Sequence, residues 1–104
     1  MNQGGLKELS AHRVLTGHEI LSIANDTSTG TKENHRIVLS NRGGSIMLME
    51  IDKKGMLVPI WNKAVYKIPK TVAFSKEGDL IYVFGLWDGV MYVVSSEFGW
   101  KFLI

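Results

Sequence analysis

The clearest pattern in the chain lies in Thr71–Ser95, TVAFSKEGDLIYVFGLWDGVMYVVS, where three short apolar runs are separated by two Gly-centred turns. Val72 and Phe74 alternate with their neighbours over Thr71–Ser75, which is the period of a strand. Lys76-Glu77-Gly78-Asp79 has turn chemistry, because Gly tolerates positive φ and Asp bonds its own local backbone. Leu80–Gly85 (LIYVFG) is β-branched and aromatic, and too short for a helix. Trp87-Asp88-Gly89 then carries an Asp-Gly hairpin signal ahead of a third run, Val90–Val94. Three sequential strands with tight turns make an antiparallel meander.

A second, upstream copy of the pattern is visible in Arg36–Glu50, RIVLSNRGGSIMLME. Placing Gly44 under Gly89, an offset of 45 residues, aligns Val38 with Val83, Leu39 with Phe84, Leu48 with Val93 and Met49 with Val94. Ile20–Ala24 then matches Thr71–Ser75, with a longer polar loop, Asn25–Asn34, as the segment expected to be most mobile. Met56–Trp61 reads as an edge strand, since Pro59 cannot donate to a ladder and belongs on an edge or at a bulge. Asn62–Lys70 connects the copies and Phe98–Leu103 supplies the last strand. Leu6–Leu15 is compatible with either a short helix or a strand. The predicted organisation is all-β and antiparallel: one domain over 1–104, with two four-stranded meanders at approximately 18–62 and 70–104. Short-stranded units repeating every 40–50 residues are the signature of propeller blades.

The same residues resemble the repeats of pyrroloquinoline-quinone-type β-propellers. Those repeats run as an apolar strand, a Gly turn, a second apolar strand, then a Gly and an outer-strand Trp. Here the positions are Leu80–Phe84, Asp88-Gly89, Met91–Val94, Gly99 and Trp100, and upstream Ile37–Leu39, Gly43-Gly44, Ile46–Met49, Gly55 and Trp61. WD-repeat propellers are similar too, although Trp87-Asp88 sits in a turn and does not close a third strand. The resemblance implies blade geometry. The residues with which quinoprotein enzymes hold cofactor and calcium have no counterparts here, so it implies no enzymatic activity and no cofactor. Two blades leave lateral faces uncovered, and closed propellers have about four to eight blades. The strands are therefore expected to close as a small sandwich or barrel, to be completed by oligomerisation, or to belong to a longer propeller.

Composition narrows the function classes. At 104 residues, 45% hydrophobic and 21% charged, the chain fits an ordinary globular domain, and it has no window of the roughly 18 apolar residues that a membrane span needs. It contains no cysteine, which removes disulfides and thiol chemistry and fits a cytoplasmic protein. A net charge of +2 is mild for a nucleic-acid binder. His12, His18 and His35 show no metal-ligand spacing, and no pair of carboxylates stands out for acid–base work. Gly43-Gly44 lacks the Lys-Ser/Thr and the helix of a phosphate loop and reads as a hairpin turn.

Two surfaces are expected to carry function. The first is an aromatic patch for a protein partner or for self-association, anchored by Trp87, Trp100 and Phe102 with Arg42 on its rim. The second is the segment Trp61–Lys70, where Lys63, Lys67 and Lys70 interleave with Trp61 and Tyr66. That pattern suits nucleic-acid backbone and base stacking. The expected function is thus a non-catalytic protein-interaction module, with nucleic-acid binding or a fragment of a quinoprotein-like enzyme as alternatives.

Overall fold

The computed structural model describes residues 18–28, 35–65, 68–85, 89 and 91–97, together with the backbone of 101–103. The first sheet contains β1 (Ile20–Asn25), β2 (His35–Asn41), β3 (Ser45–Ile51) and β4 (Leu57–Ala64), paired in that order. The second contains β5 (Pro69–Phe74), β6 (Leu80–Gly85), β7 (Met91–Ser95) and the three-residue β8 (Lys101–Leu103). Every pairing is antiparallel. The edge feature expected of Pro59 is present. Pro59 pairs with Met49 while Leu48 pairs with Trp61, so Ile60 is the extra residue of a bulge on edge strand β4. Pro69 opens β5 at a second irregularity. The segment Leu6–Leu15 lies outside the described residues.

The sheets pack face to face and do not share a ladder. Among the described residues no barrel closes, because β1 lies over β5 and not beside it. Strand alternation sends Val38, Ile46 and Leu48 to one side of the first sheet. There they meet Val72, Ile81, Val83, Tyr92 and Val94 of the second, all nearly inaccessible. Ala24, Trp61, Val65 and Phe74 border this inter-sheet core. Each such side chain contributes about 1.5–3 kcal/mol of apolar burial, which makes this interface the main stabilising layer. On the other side of the first sheet, Leu39, Met47 and Met49 form a second cluster and are only 4%, 0% and 1% exposed.

The two sheets are stacked in the same orientation. The Ser22 hydroxyl of β1 lies 3.3 Å from the backbone N–H of Val72 in β5. Beyond the ends of the same two strands, a Cβ on Gly78 would lie 2.6 Å from Asp26 Oδ1. β1 and β5 therefore run in one direction, one above the other. In such a stack, the face of the first sheet that looks at the second corresponds to the face of the second that looks away. This corrects the 45-residue alignment. It holds between β3 and β7, where Leu48 matches Val93 and Met49 matches Val94. Between β2 and β6 the offset is 44, so Val38 matches Tyr82 and Leu39 matches Val83. The cross-strand registers require the step: Leu39 pairs with Met47, but Val83 pairs with Tyr92. A one-residue slip puts a side chain on the wrong face of its sheet.

Candidate functional site

Two features stand out: a buried ionic cluster that ties the sheets together, and an apolar face on the second sheet. The cluster begins at Asp26, just beyond β1, whose N–H donates to the Arg36 carbonyl. This continues the β1–β2 ladder by one step and sets the two side chains together. Arg36 donates through Nε and Nη2 to Asp26 Oδ2, at 3.0 and 2.8 Å. The other carboxylate oxygen accepts from the backbone N–H and the hydroxyl of Ser28, at 2.9 and 2.6 Å. Burial pushes the Asp26 carboxyl up, but the Ser28 bonds and then the Arg36 bond and charge outweigh it, so the group titrates below its ordinary value.

The guanidinium then crosses to the second sheet. Its Nη2 donates to the Gly78 carbonyl at 2.5 Å, and the Ser96 hydroxyl donates to the same oxygen at 2.6 Å. The guanidinium carbon sits 5.5 Å from the centre of the Phe74 ring. Trp61 closes the bridge further along, its indole N–H donating to the Ser96 carbonyl at 2.9 Å. The Arg36 and Asp26 side chains are 11% and 2% exposed, so this is a desolvated pair and not a surface one. The cluster's polar atoms bridge the two sheets. Of the polar run Asn25–Asn34, Asn25 ends β1 and Asp26 is anchored at this junction.

The apolar face is the side of the second sheet that looks away from the first. By alternation and cross-strand register it carries Thr71, Ala73, Leu80, Tyr82, Phe84, Met91, Val93 and Ser95, none of them charged. An antiparallel sheet with one face in water normally alternates apolar and polar positions. Here β6 and β7 are apolar on both sides. Phe84 is 45% exposed, and Tyr82, Phe84, Met91 and Val93 belong to neither hydrophobic cluster of the described residues. Sequence reading recognised the two runs as strands without singling out Tyr82 and Phe84. The available signal was the missing polar alternation.

The residues expected to form sites are dispersed. Trp87 and Trp100 lie outside the described residues, as does the side chain of Phe102, although the backbone of Phe102 pairs with Val93 of the apolar face. Arg42 is at the tip of the β2–β3 hairpin and bonds Glu19 at 2.9 Å with both side chains more than half exposed, an ion pair of little energetic consequence. Of the Lys/aromatic segment, Tyr66 and Lys67 lie outside the described residues and Lys63 and Lys70 are exposed. Trp61 is half-buried against the inter-sheet core with its N–H bonded, so its ring is committed to that contact and not offered for stacking on a base. Among the described residues no three His, Cys, Asp or Glu side chains converge on a metal position, and no helix is long and apolar enough to cross a membrane. No protein-family model and no curated protein matches the chain.

Proposed function

We propose that the chain is a non-catalytic protein-interaction module of two propeller-blade-like units, and that it contacts its partner through the outer face of the second sheet. The observation that carries this reading is the half-exposed Phe84 in an uncharged sheet face with Tyr82, Met91 and Val93. Exposed aromatics in an apolar field are favoured anchors for protein partners. The backbone of Phe102 pairs with Val93 of this face.

Support for the blade description comes from the stacking. With the corrected offsets, the first sheet's inward positions Ala24, Val38, Ser40, Ile46, Leu48 and Trp61 correspond to Ala73, Tyr82, Phe84, Met91, Val93 and Phe102. The first set packs against a neighbouring sheet. The second set is the same surface one unit along, with Phe84 replacing Ser40 and with no described sheet against it. Successive blades of a propeller are related in this way.

The test is affinity capture on immobilised wild-type chain and on Phe84→Lys, followed by reconstitution with the purified protein retained. A partner held by wild type and bound at least about tenfold more weakly by Phe84→Lys, roughly 1.4 kcal/mol, is the expected outcome. Val58→Lys, on β4 of the first sheet, should bind like wild type. A partner held equally well by Phe84→Lys removes this face from the account.

A further inference from the structure

We infer that the Pro59–Ile60 bulge closes the free edge of the first sheet to further strands, and so keeps copies of this chain from pairing edge to edge. The inference is independent of the surface that the partner uses, because it concerns the backbone of β4 and not a sheet face.

β4 needs such a guard. Among the described residues it pairs with β3 on one side and with no strand on the other. At eight residues it is the longest of the strands, and six of its residues are exposed. Apolar side chains lie along it: Met56, just before the strand, Val58 and Ile60 are 46%, 39% and 43% exposed. Unpaired N–H and C=O groups beside exposed apolar side chains are a template for a further strand.

The hydrogen-bond phase shows how that template is broken. The ladder is fixed at both ends. The Asp52 N–H donates to the Met56 carbonyl at 2.9 Å, and the Val65 N–H donates to the Gly44 carbonyl at 2.8 Å. Peptide groups along an antiparallel strand alternate between the partner and the free side. Counted from Met56, Val58 faces β3, while Leu57 and Pro59 face outward. Counted back from Val65, Lys63 and Trp61 face β3, while Asn62 and Ala64 face outward. The outward groups thus recur at every second residue up to Pro59 and then skip to Asn62. Ile60, the extra residue of the bulge, makes that longer step, so the two halves of the edge are out of phase for any straight strand. Pro59 has no N–H to offer in any case. What remains is a lone donor at Leu57 and two at Asn62 and Ala64, pieces at the lower limit of strand length.

The other described edges are short or interrupted too. β1 bulges at Leu21, and β5 opens on Pro69 and bulges at Lys70. The outward Val72 N–H of β5 is taken by the Ser22 hydroxyl at 3.3 Å. β8 has only three residues. β4, the longest, carries its proline and its bulge in mid-strand.

Removing both devices should open the edge. Pro59→Thr supplies the missing donor, and deletion of Ile60 restores the regular alternation. The stretch Leu57–Asn62 is then uncharged, rich in β-forming residues and free of proline, the composition of strands that add to their own copies. The experiment is light scattering of the full chain over a dilution series, with amide hydrogen exchange on the associated fraction. The combined variant should exceed 11.6 kDa at concentrations at least about tenfold below any at which the wild-type chain does. New protection should appear at the amides of Leu57, Asn62 and Ala64, with a wild-type circular dichroism spectrum. If the deletion disturbs the fold, Pro59→Thr alone should lower the threshold by about threefold. A folded variant that associates no more readily than wild type overturns the inference. So does an association that leaves those three amides unprotected.

Discussion

Arg36→Met is expected to cost about 3–5 kcal/mol of folding stability, the range for removing one partner of a buried ion pair. Asp26, 2% exposed, would keep its Ser28 bonds but lose the cation that offsets its desolvation. The Gly78 carbonyl would lose one of its two donors, and the sheets would lose their crossing point. Against the usual total of about 5–15 kcal/mol, a loss of that size unfolds a sizeable fraction of a marginal domain. Urea unfolding measures it. Arg42→Met is the internal comparison. Its partner Glu19 has a 63% exposed side chain, and the change should fall within about 0.5 kcal/mol.

The effect should depend on pH in a direction set by Asp26. Its folded pKa is depressed, so its contribution is fully present above the unfolded value near 3.8 and is lost as pH falls through the folded pKa. Removing Arg36 leaves burial opposed by the Ser28 bonds alone, so that pKa rises from its wild-type position. The stability gap between wild type and Arg36→Met should therefore be widest near neutrality and narrow below about pH 4. Equal unfolding midpoints at pH 7, or a gap that widens in acid, would mean that the cluster does not hold the sheets together.

Gly78→Ala is the second large expected loss, about 2–4 kcal/mol, because two penalties coincide. Gly78 has φ of +80°, where an L side chain is strained. A Cβ there would also stand 2.6 and 2.8 Å from the Asp26 carboxylate oxygens and 2.7 Å from Ser28 Oγ. Those atoms cannot retreat without abandoning Arg36. Gly44, with φ of +88°, separates the two causes, since its nearest neighbour would be the Val65 carbonyl oxygen at an ordinary 3.8 Å. Gly44→Ala should show the backbone penalty alone, about 1 kcal/mol. Thermal unfolding of both variants decides it: equal losses would mean that Gly78 does not press on the carboxylate.

Much of this architecture was legible before any coordinates. Leu80–Gly85 coincides with β6 residue for residue, and the other strands shift at their ends, where ladders fray. Local rules suffice there, because period, turn residues and proline each act over a few positions. The ionic cluster could not be read that way. Asp26 begins a polar run resembling any solvated loop, and its partner Arg36 lies 10 residues on, with the Gly78 carbonyl 42 from Arg36. Only the stacking of the sheets unites them. Trp61 was misleading for a related reason. Beside lysines it suggests an exposed ring, whereas the β4 register places it opposite Leu48, over the core.

The most direct test of the interaction face is a titration of the full chain with its captured partner, followed by amide and methyl NMR spectra. The account predicts shifts at Tyr82, Phe84 and Met91 as partner is added, with Leu39, Met47 and Met49 unmoved. Shifts centred on the outer face of the first sheet, or none on the second, would contradict it.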